Sequence, residues 1–117
     1  MNIVIIKGRL SRDPEVKTTA SGMTVSRFSV AVDRIAKKGE ERKADFISCV
    51  AFSNTAQTIA KYCTKGNEIA LQGHIQTGKY VTESGENRYT TDVIVDRFEF
   101  CGSKSGGKAE TSEEVPF

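Results

Sequence analysis

The run Asp45-Phe46-Ile47-Ser48-Cys49-Val50-Ala51-Phe52-Ser53-Asn54-Thr55-Ala56-Gln57-Thr58-Ile59-Ala60-Lys61-Tyr62-Cys63-Thr64-Lys65-Gly66 holds a change of period that organises the whole chain. Up to Ser53 the residues alternate. Phe46, Ser48, Val50 and Phe52 face one way, and Ile47, Cys49 and Ala51 face the other, which is the twofold repeat of a strand. After Ser53, Ala56, Ile59, Ala60 and Cys63 recur at i, i+3, i+4 and i+7, the repeat of an amphipathic helix over residues 54–64. Ser53 or Asn54 can cap its N-terminus, and Gly66 can stop it in the left-handed conformation.

On either side of this run the chain reads as strand. Met1 to Arg9 is apolar on both faces at Ile3, Val4, Ile5 and Ile6, so a second surface is expected to cover it, which suggests a subunit contact. Ser11-Arg12-Asp13-Pro14 is a turn. Val25 to Asp33 sets Phe28, Val30 and Val32 against Arg27, Ser29 and Ala31, and Ala36 to Glu41 reads as a charged hairpin loop. Beyond the helix, Asn67 to Thr77 places Ile69, Leu71 and Ile75 inward. Tyr80–Thr82 and Arg88–Val95 flank the loop Glu83-Ser84-Gly85-Glu86-Asn87, and Arg97 to Cys101 adds Phe98 and Phe100. Three strands, one helix and two strands is the order of an OB-fold: an all-β, five-stranded Greek-key barrel with one short helix, whose open face takes oligonucleotides. A generic small β-barrel fits the same periodicity.

At 117 residues the chain has room for one core and an appendage. Residues 1–101 hold fifteen Lys/Arg against twelve Asp/Glu, a balance of +3, whereas residues 102–117 hold two against three, a balance of −1. A mildly basic body with an acidic tip suits a polyanion binder. Cys49, Cys63 and Cys101 are odd in number and widely spaced, which argues against a disulfide framework and a zinc site. Ile3-Val4-Ile5-Ile6, closed by Lys7, is too short for a signal peptide, and no apolar run reaches membrane-spanning length. A cytoplasmic location is the expectation, with no membrane partner.

Single strands are held by aromatic faces interleaved with cations. Phe46 and Phe52 share a face, and Tyr80 follows Gly78-Lys79 near a strand end. Core packing is the alternative reading of the two Phe. Arg34, Lys37 and Lys38, with Lys43 close behind, would line a groove if their hairpin folds over the sheet; otherwise they form a solvated charged loop. Gly102 to Ala109 has the G-x-x-x-x-G-K frame of a phosphate loop, but Ala109 stands where a metal-binding hydroxyl is needed and no helix follows to present its N–H groups. It reads as a flexible linker. His74 is the one histidine and is expected to face outward with Gln72 and Gln76. Asp92 and Asp96 share a face without marking an acid/base or metal pair. No catalytic residue, metal site or cofactor is expected. At the far end, Ser112-Glu113-Glu114-Val115-Pro116-Phe117 sets a ring beside the α-carboxylate, a tip suited to a partner with an apolar pocket and a basic rim.

Several stretches together resemble the bacterial-type single-stranded-DNA-binding proteins, phage-encoded members included. They are Asn2 to Asp13 with Pro14-Glu15-Val16, Gly22 to Val32, Ala44 to Phe52, Ala60-Lys61-Tyr62 with Lys65-Gly66, Gly73 to Tyr80, Arg88 to Val93, and the acidic Pro-Phe end. The resemblance covers nearly the whole chain. It implies residues 1–101 as an OB-fold binding domain and residues 102–117 as a flexible linker with a docking tip. It puts Phe46, Phe52 and Tyr80 where the family stacks bases, and Glu113, Glu114, Val115, Pro116 and Phe117 where it docks replication and repair proteins. It also implies a homotetramer, which would explain the two-faced first strand, and a location with the nucleoid or in a phage host's cytoplasm. The family's extra hairpin aromatic is missing near Ile35-Ala36, and all three stacking positions are Phe or Tyr. The tip has three Glu rather than a dense Asp run, on a linker whose reach is roughly 20 Å.

The leading expectation is a non-catalytic, sequence-tolerant binder of single-stranded DNA, with Arg34, Lys37, Lys38 and Lys79 neutralising phosphates. An OB-fold interaction module that docks proteins through its tail is the second reading. An OB-fold nuclease is the third, and it lacks a convincing carboxylate cluster.

Overall fold

A computed structural model describes residues 1–102. The chain runs β1 (Val4–Leu10), β2 (Glu15–Thr18), β3 (Thr24–Asp33), β4 (Ala44–Phe52), α1 (Ser53–Tyr62), β5 (Glu68–Val81) and β6 (Asn87–Gly102). The strands pair in the order β1-β5-β6-β4-β3-β2, and β1 pairs again with β3 at Arg9–Ala31 and Leu10–Val30. That second pairing closes five strands into a barrel, with β4 and β6 as its one parallel seam at Cys49–Val93 and Val50–Ile94. The architecture is the OB-fold that the element order suggested.

β2 is a strand the periodicity did not expect. Its four residues are all exposed and only Val16 is apolar, so it leaves no alternation to read. It exists as an edge partner of β3, in register from Glu15–Arg27 to Thr18–Thr24. The segments expected as separate pieces after the helix merge into two long strands, which stay paired from Glu68–Gly102 to Val81–Asn87 across two register shifts. Because β5 and β6 outgrow the barrel, Ile75 does not point into the core as expected. It is 44% exposed, and its backbone N–H and C=O are bonded by the Asn2 side chain.

The helix starts one residue earlier than expected and is capped differently. Phe52 is its N-cap, with no side-chain cap bond, and Ser53 takes a positive φ of 57° as the chain swings out of β4. At the other end, Cys63 leaves helical geometry for an extended conformation while its N–H still bonds the Ile59 carbonyl. Gly66 does take a positive φ, but in the turn after the helix, where its N–H bonds the Leu10 carbonyl and ties the turn to β1.

Ala56, Ile59 and Cys63 are buried against Leu10, Phe28, Val30, Cys49, Ala51, Ile69, Leu71, Val93 and Val95, so the helix plugs the barrel. Ser26 is the one buried polar residue among the described residues, and its hydroxyl donates to the Ala56 carbonyl at 2.9 Å. Phe98 and Phe100 pack edge-on at 5.4 Å, and Tyr62 of the helix meets Phe100 edge-on at 6.2 Å.

Burial pushes the Cys63 thiol up to about 12, and burial together with the Asp92 carboxylate does the same for Cys49. The thiolate is the reactive form. At pH 8, a thiol reagent is therefore expected to modify one cysteine of the native protein, the exposed Cys101, and all three after denaturation. Rapid native labelling of Cys49 or Cys63 would mean that the barrel opens locally.

Candidate functional site

Cross-strand partners share a face of a sheet, and so do alternate residues of one strand. On β3 and β4 the outward pairs are Val25–Phe52, Arg27–Val50, Ser29–Ser48 and Ala31–Phe46. Ser48 carries the same face across to β6, where its hydroxyl donates to Asp92 Oδ1 at 2.7 Å. From Asp92 the face continues up the long hairpin through the pairs Gln76–Asp92, Gly78–Thr90 and Tyr80–Arg88. One continuous outer surface thus carries Phe46, Phe52 and Tyr80.

Their exposure argues against core packing for the two phenylalanines. Phe46 is 69% exposed, Phe52 39% and Tyr80 55%, so none of the three belongs to the core. The inward side of β4 is filled instead by Cys49 and Ala51, both fully buried.

The cations are arranged differently from the sequence expectation. Arg34 is taken up by Asp45, with Nε and Nη2 donating to Oδ1 at 3.0 and 2.7 Å. That hydrogen bond holds the Asp45 carboxyl below its ordinary range and raises the Arg34 guanidinium. Asp45 pairs with Val32 across the ladder, so this ion pair sits on the opposite side of β4 from Phe46. Lys37 and Lys38 are exposed in the loop between β3 and β4, where Lys37 and Glu40 close a turn through the Glu40 N–H on the Lys37 carbonyl. Lys79 lies across from Tyr89, on the opposite face of the hairpin from its sequence neighbour Tyr80.

Two arginines not singled out from sequence share the face of the rings. Arg27 lies between Phe52 and Ser48 on the sheet, with its side chain 56% exposed and Nη1 3.9 Å from Asp92 Oδ1. Arg88 lies directly across from Tyr80, with its side chain also 56% exposed and Nη2 3.9 Å from Glu86. The alternation of β3 already put Arg27 on its outward face. What it lacked was a reason to rank an isolated arginine above the basic cluster in the loop. Asp92 is the one carboxylate at the centre of this surface. It is only 17% exposed at its side chain and is held by Ser48, so it positions Arg27 from below.

His74 faces outward as expected, with Nδ1 3.1 Å from Asp96 Oδ2. Among the described residues no group of three or more His, Cys, Asp or Glu could hold a metal ion, and no helix is long and apolar enough to cross a membrane. The tip residues Glu113, Glu114, Val115, Pro116 and Phe117 lie outside the described residues.

Residues 1–101 match the profile of the Single-strand binding protein family. A single-stranded DNA-binding protein of Clostridium perfringens is 52% identical over 108 residues, which cover 92% of this chain and 70% of that protein. One from Fusobacterium nucleatum is 47% identical over 116 residues, covering 96% and 75% of the two chains. Single-stranded DNA-binding protein 1 of Staphylococcus aureus strain Mu50 is 38% identical over 111 residues, covering 94% and 71%.

Proposed function

The chain belongs to the single-strand binding protein family, and from that membership we propose that its ringed sheet face binds and protects single-stranded DNA irrespective of sequence. The carrying observation is that Phe46, Phe52 and Tyr80 stand exposed on one surface together with Arg27 and Arg88. Every base has a π-face, so rings and cations without base-edge readers give sequence-tolerant capture. The protein is not an enzyme. It acts in replication, recombination and repair, in the cytoplasm and on the nucleoid.

Residues 1–101 act as the binding domain and residues 102–117 as a linker ending in a docking tip. Glu113 and Glu114 meet a basic rim on replication and repair enzymes, and Val115-Pro116-Phe117 fills an apolar pocket there. The functional unit is a homotetramer. Ile3 and Ile5 are 57% and 73% exposed, and Ile5 borders a depression of about 210 Å³ lined also by Ala70, Gln72 and Phe98. β1 pairs with β5 along Val4–Arg9 but reaches β3 only at Arg9 and Leu10, which leaves most of its other edge unpaired among the described residues. An apolar strand with an open edge invites a second copy.

The test is fluorescence anisotropy of a labelled oligo-dT titrated at two salt concentrations, with a duplex of equal length as competitor. Tight, salt-dependent binding that the duplex fails to displace is expected. Equal preference for duplex would instead favour a protein-docking module.

Arg27→Ala should weaken oligo-dT binding and reduce the slope of log affinity against log salt by about 0.7, the value for one phosphate contact on a single strand. Arg34→Ala should change the slope less, because Asp45 already neutralises that guanidinium. Equal slope changes in the two variants would overturn this ranking of the cations.

A further inference from the structure

The hairpin that β5 and β6 extend beyond the barrel carries one device twice, once on each face. On the face described above, Tyr80 lies across from Arg88. On the reverse face, Tyr89 lies across from Lys79. Tyr89 is the more exposed of the two rings, at 75% against 55%. It makes no ring contact, and Lys79 no ion pair, with any other described residue. The barrel does not back this face, since every residue from Ile75 to Val81 is exposed. Val81, 62% exposed, lies on the same side as Lys79 and widens the apolar surface around it. This phenol and ammonium, set in adjacent register on a bare ribbon, lie outside the barrel core.

We propose that this reverse face is a second nucleotide platform, on which a base of the same DNA strand stacks on Tyr89 while a neighbouring phosphate meets Lys79. The inference rests on the single-strand reading above and deepens it. The occupant follows from composition, because the reverse face repeats the ring-and-cation pair of the front face and is continuous with it around the hairpin edges. A strand stacked on Tyr80 has only to cross that edge to reach Tyr89, so the hairpin is gripped from both sides. The placement also gives Lys79 a phosphate to meet, which the front face cannot do.

The chain has no tryptophan and three tyrosines, Tyr62, Tyr80 and Tyr89. In the full-length Y62F/Y80F protein, Tyr89 is therefore the sole ultraviolet emitter of consequence, while both substituted positions keep a ring. Its emission is expected to fall when a long oligo-dT saturates the protein. Y89A is expected to lose at least about fivefold in affinity for that oligomer, the lower end of the effect of one stacked base. K79Q should reduce the salt slope by about 0.7. Unchanged Tyr89 emission while the Y62F/Y80F protein itself binds oligo-dT to saturation would overturn the second platform and leave the single-strand reading standing. Quenching without any loss in Y89A would also overturn it, since the ring would then be a bystander. Unquenched emission with a lower molecular mass of Y89A by light scattering would assign this face to a second copy of the chain. Failure of the wild-type protein to bind oligo-dT would instead remove the parent reading.

Discussion

Gly73→Ala is expected to cost the domain about 3 kcal/mol or more and to lower its urea midpoint by about 1 M or more, followed by circular dichroism. Gly73 sits where the register between β5 and β6 shifts, opposite Val95, with Asp96 as the extra residue of a bulge. Bulges bend a sheet so that it can close, and close backbone approach is one reason for glycine inside a strand. A Cβ added at Gly73 would fall on the Ile94 carbonyl oxygen and would also come within 3.1 Å of Val93 Cγ1. A carbonyl in a ladder cannot rotate aside as a side chain can, so the strands themselves must move apart. Overpacking of an ordinary core site costs about 1–3 kcal/mol, and this position belongs at or above the top of that range. Gly8→Ala should behave alike, since its Cβ would meet the Ala31 carbonyl at the seam where β1 closes on β3. Gly78→Ala is the control. Its Cβ would meet only the Thr90 hydroxyl at 2.8 Å, on an open hairpin where that side chain can turn away. Equal losses at Gly73 and Gly78 would mean that barrel closure does not set the cost, since strand propensity by itself favours alanine over glycine.

These two glycines show what the sequence could and could not disclose. A glycine among apolar alternation reads as an interruption, and nothing local tells that a neighbouring backbone presses on it. The helix was legible because the period breaks at Ser53 and Ala56, Ile59 and Cys63 form a stripe that the structure buries. The core strands were legible wherever only one face is apolar, as in Phe28 and Val30 against Arg27 and Ser29. β4 was harder, because both its faces are apolar: Ile47, Cys49 and Ala51 on one side, Phe46, Val50 and Phe52 on the other. Alternation separates those two sets without saying which is inside. The family resemblance chose the outward set, and the exposures of Phe46 and Phe52 agree with that choice. The faces of the cations were hidden for a different reason. Lys79 and Tyr80 are neighbours in sequence and so were read together, yet adjacent strand residues point to opposite faces. Arg34 was read as a free charge because its partner, Asp45, joins it only when the hairpin folds back.

Phe46→Ala and Tyr80→Ala should each weaken oligo-dT binding roughly 5- to 150-fold, the equivalent of about 1–3 kcal/mol per stacked base, a range drawn from proteins of this class. Both rings are more than half exposed, so the stability of each variant should stay within about 0.5 kcal/mol of the parent. Phe52→Ala is a less direct test. That ring is 39% exposed and its backbone is the N-cap of α1, so folding and binding losses would mix. The double variant carries the sharper information. Phe46 and Tyr80 stand on different hairpins and share no cross-strand partner among the described residues, so their effects should add in free energy if one strand spans both at once. A double variant no weaker than the worse single one would mean that a strand uses either ring but not both, and the continuous face from Phe46 to Tyr80 would not be its track. The loop between β3 and β4 should then matter more. Ile35 is fully exposed at its base, where an aromatic is missing, and supplies only aliphatic contact. Ile35→Trp should accordingly tighten binding by up to the same factor that Phe46→Ala loses, if a base passes over that hairpin. An unchanged affinity would place the strand on the sheet between the two hairpins and away from the loop.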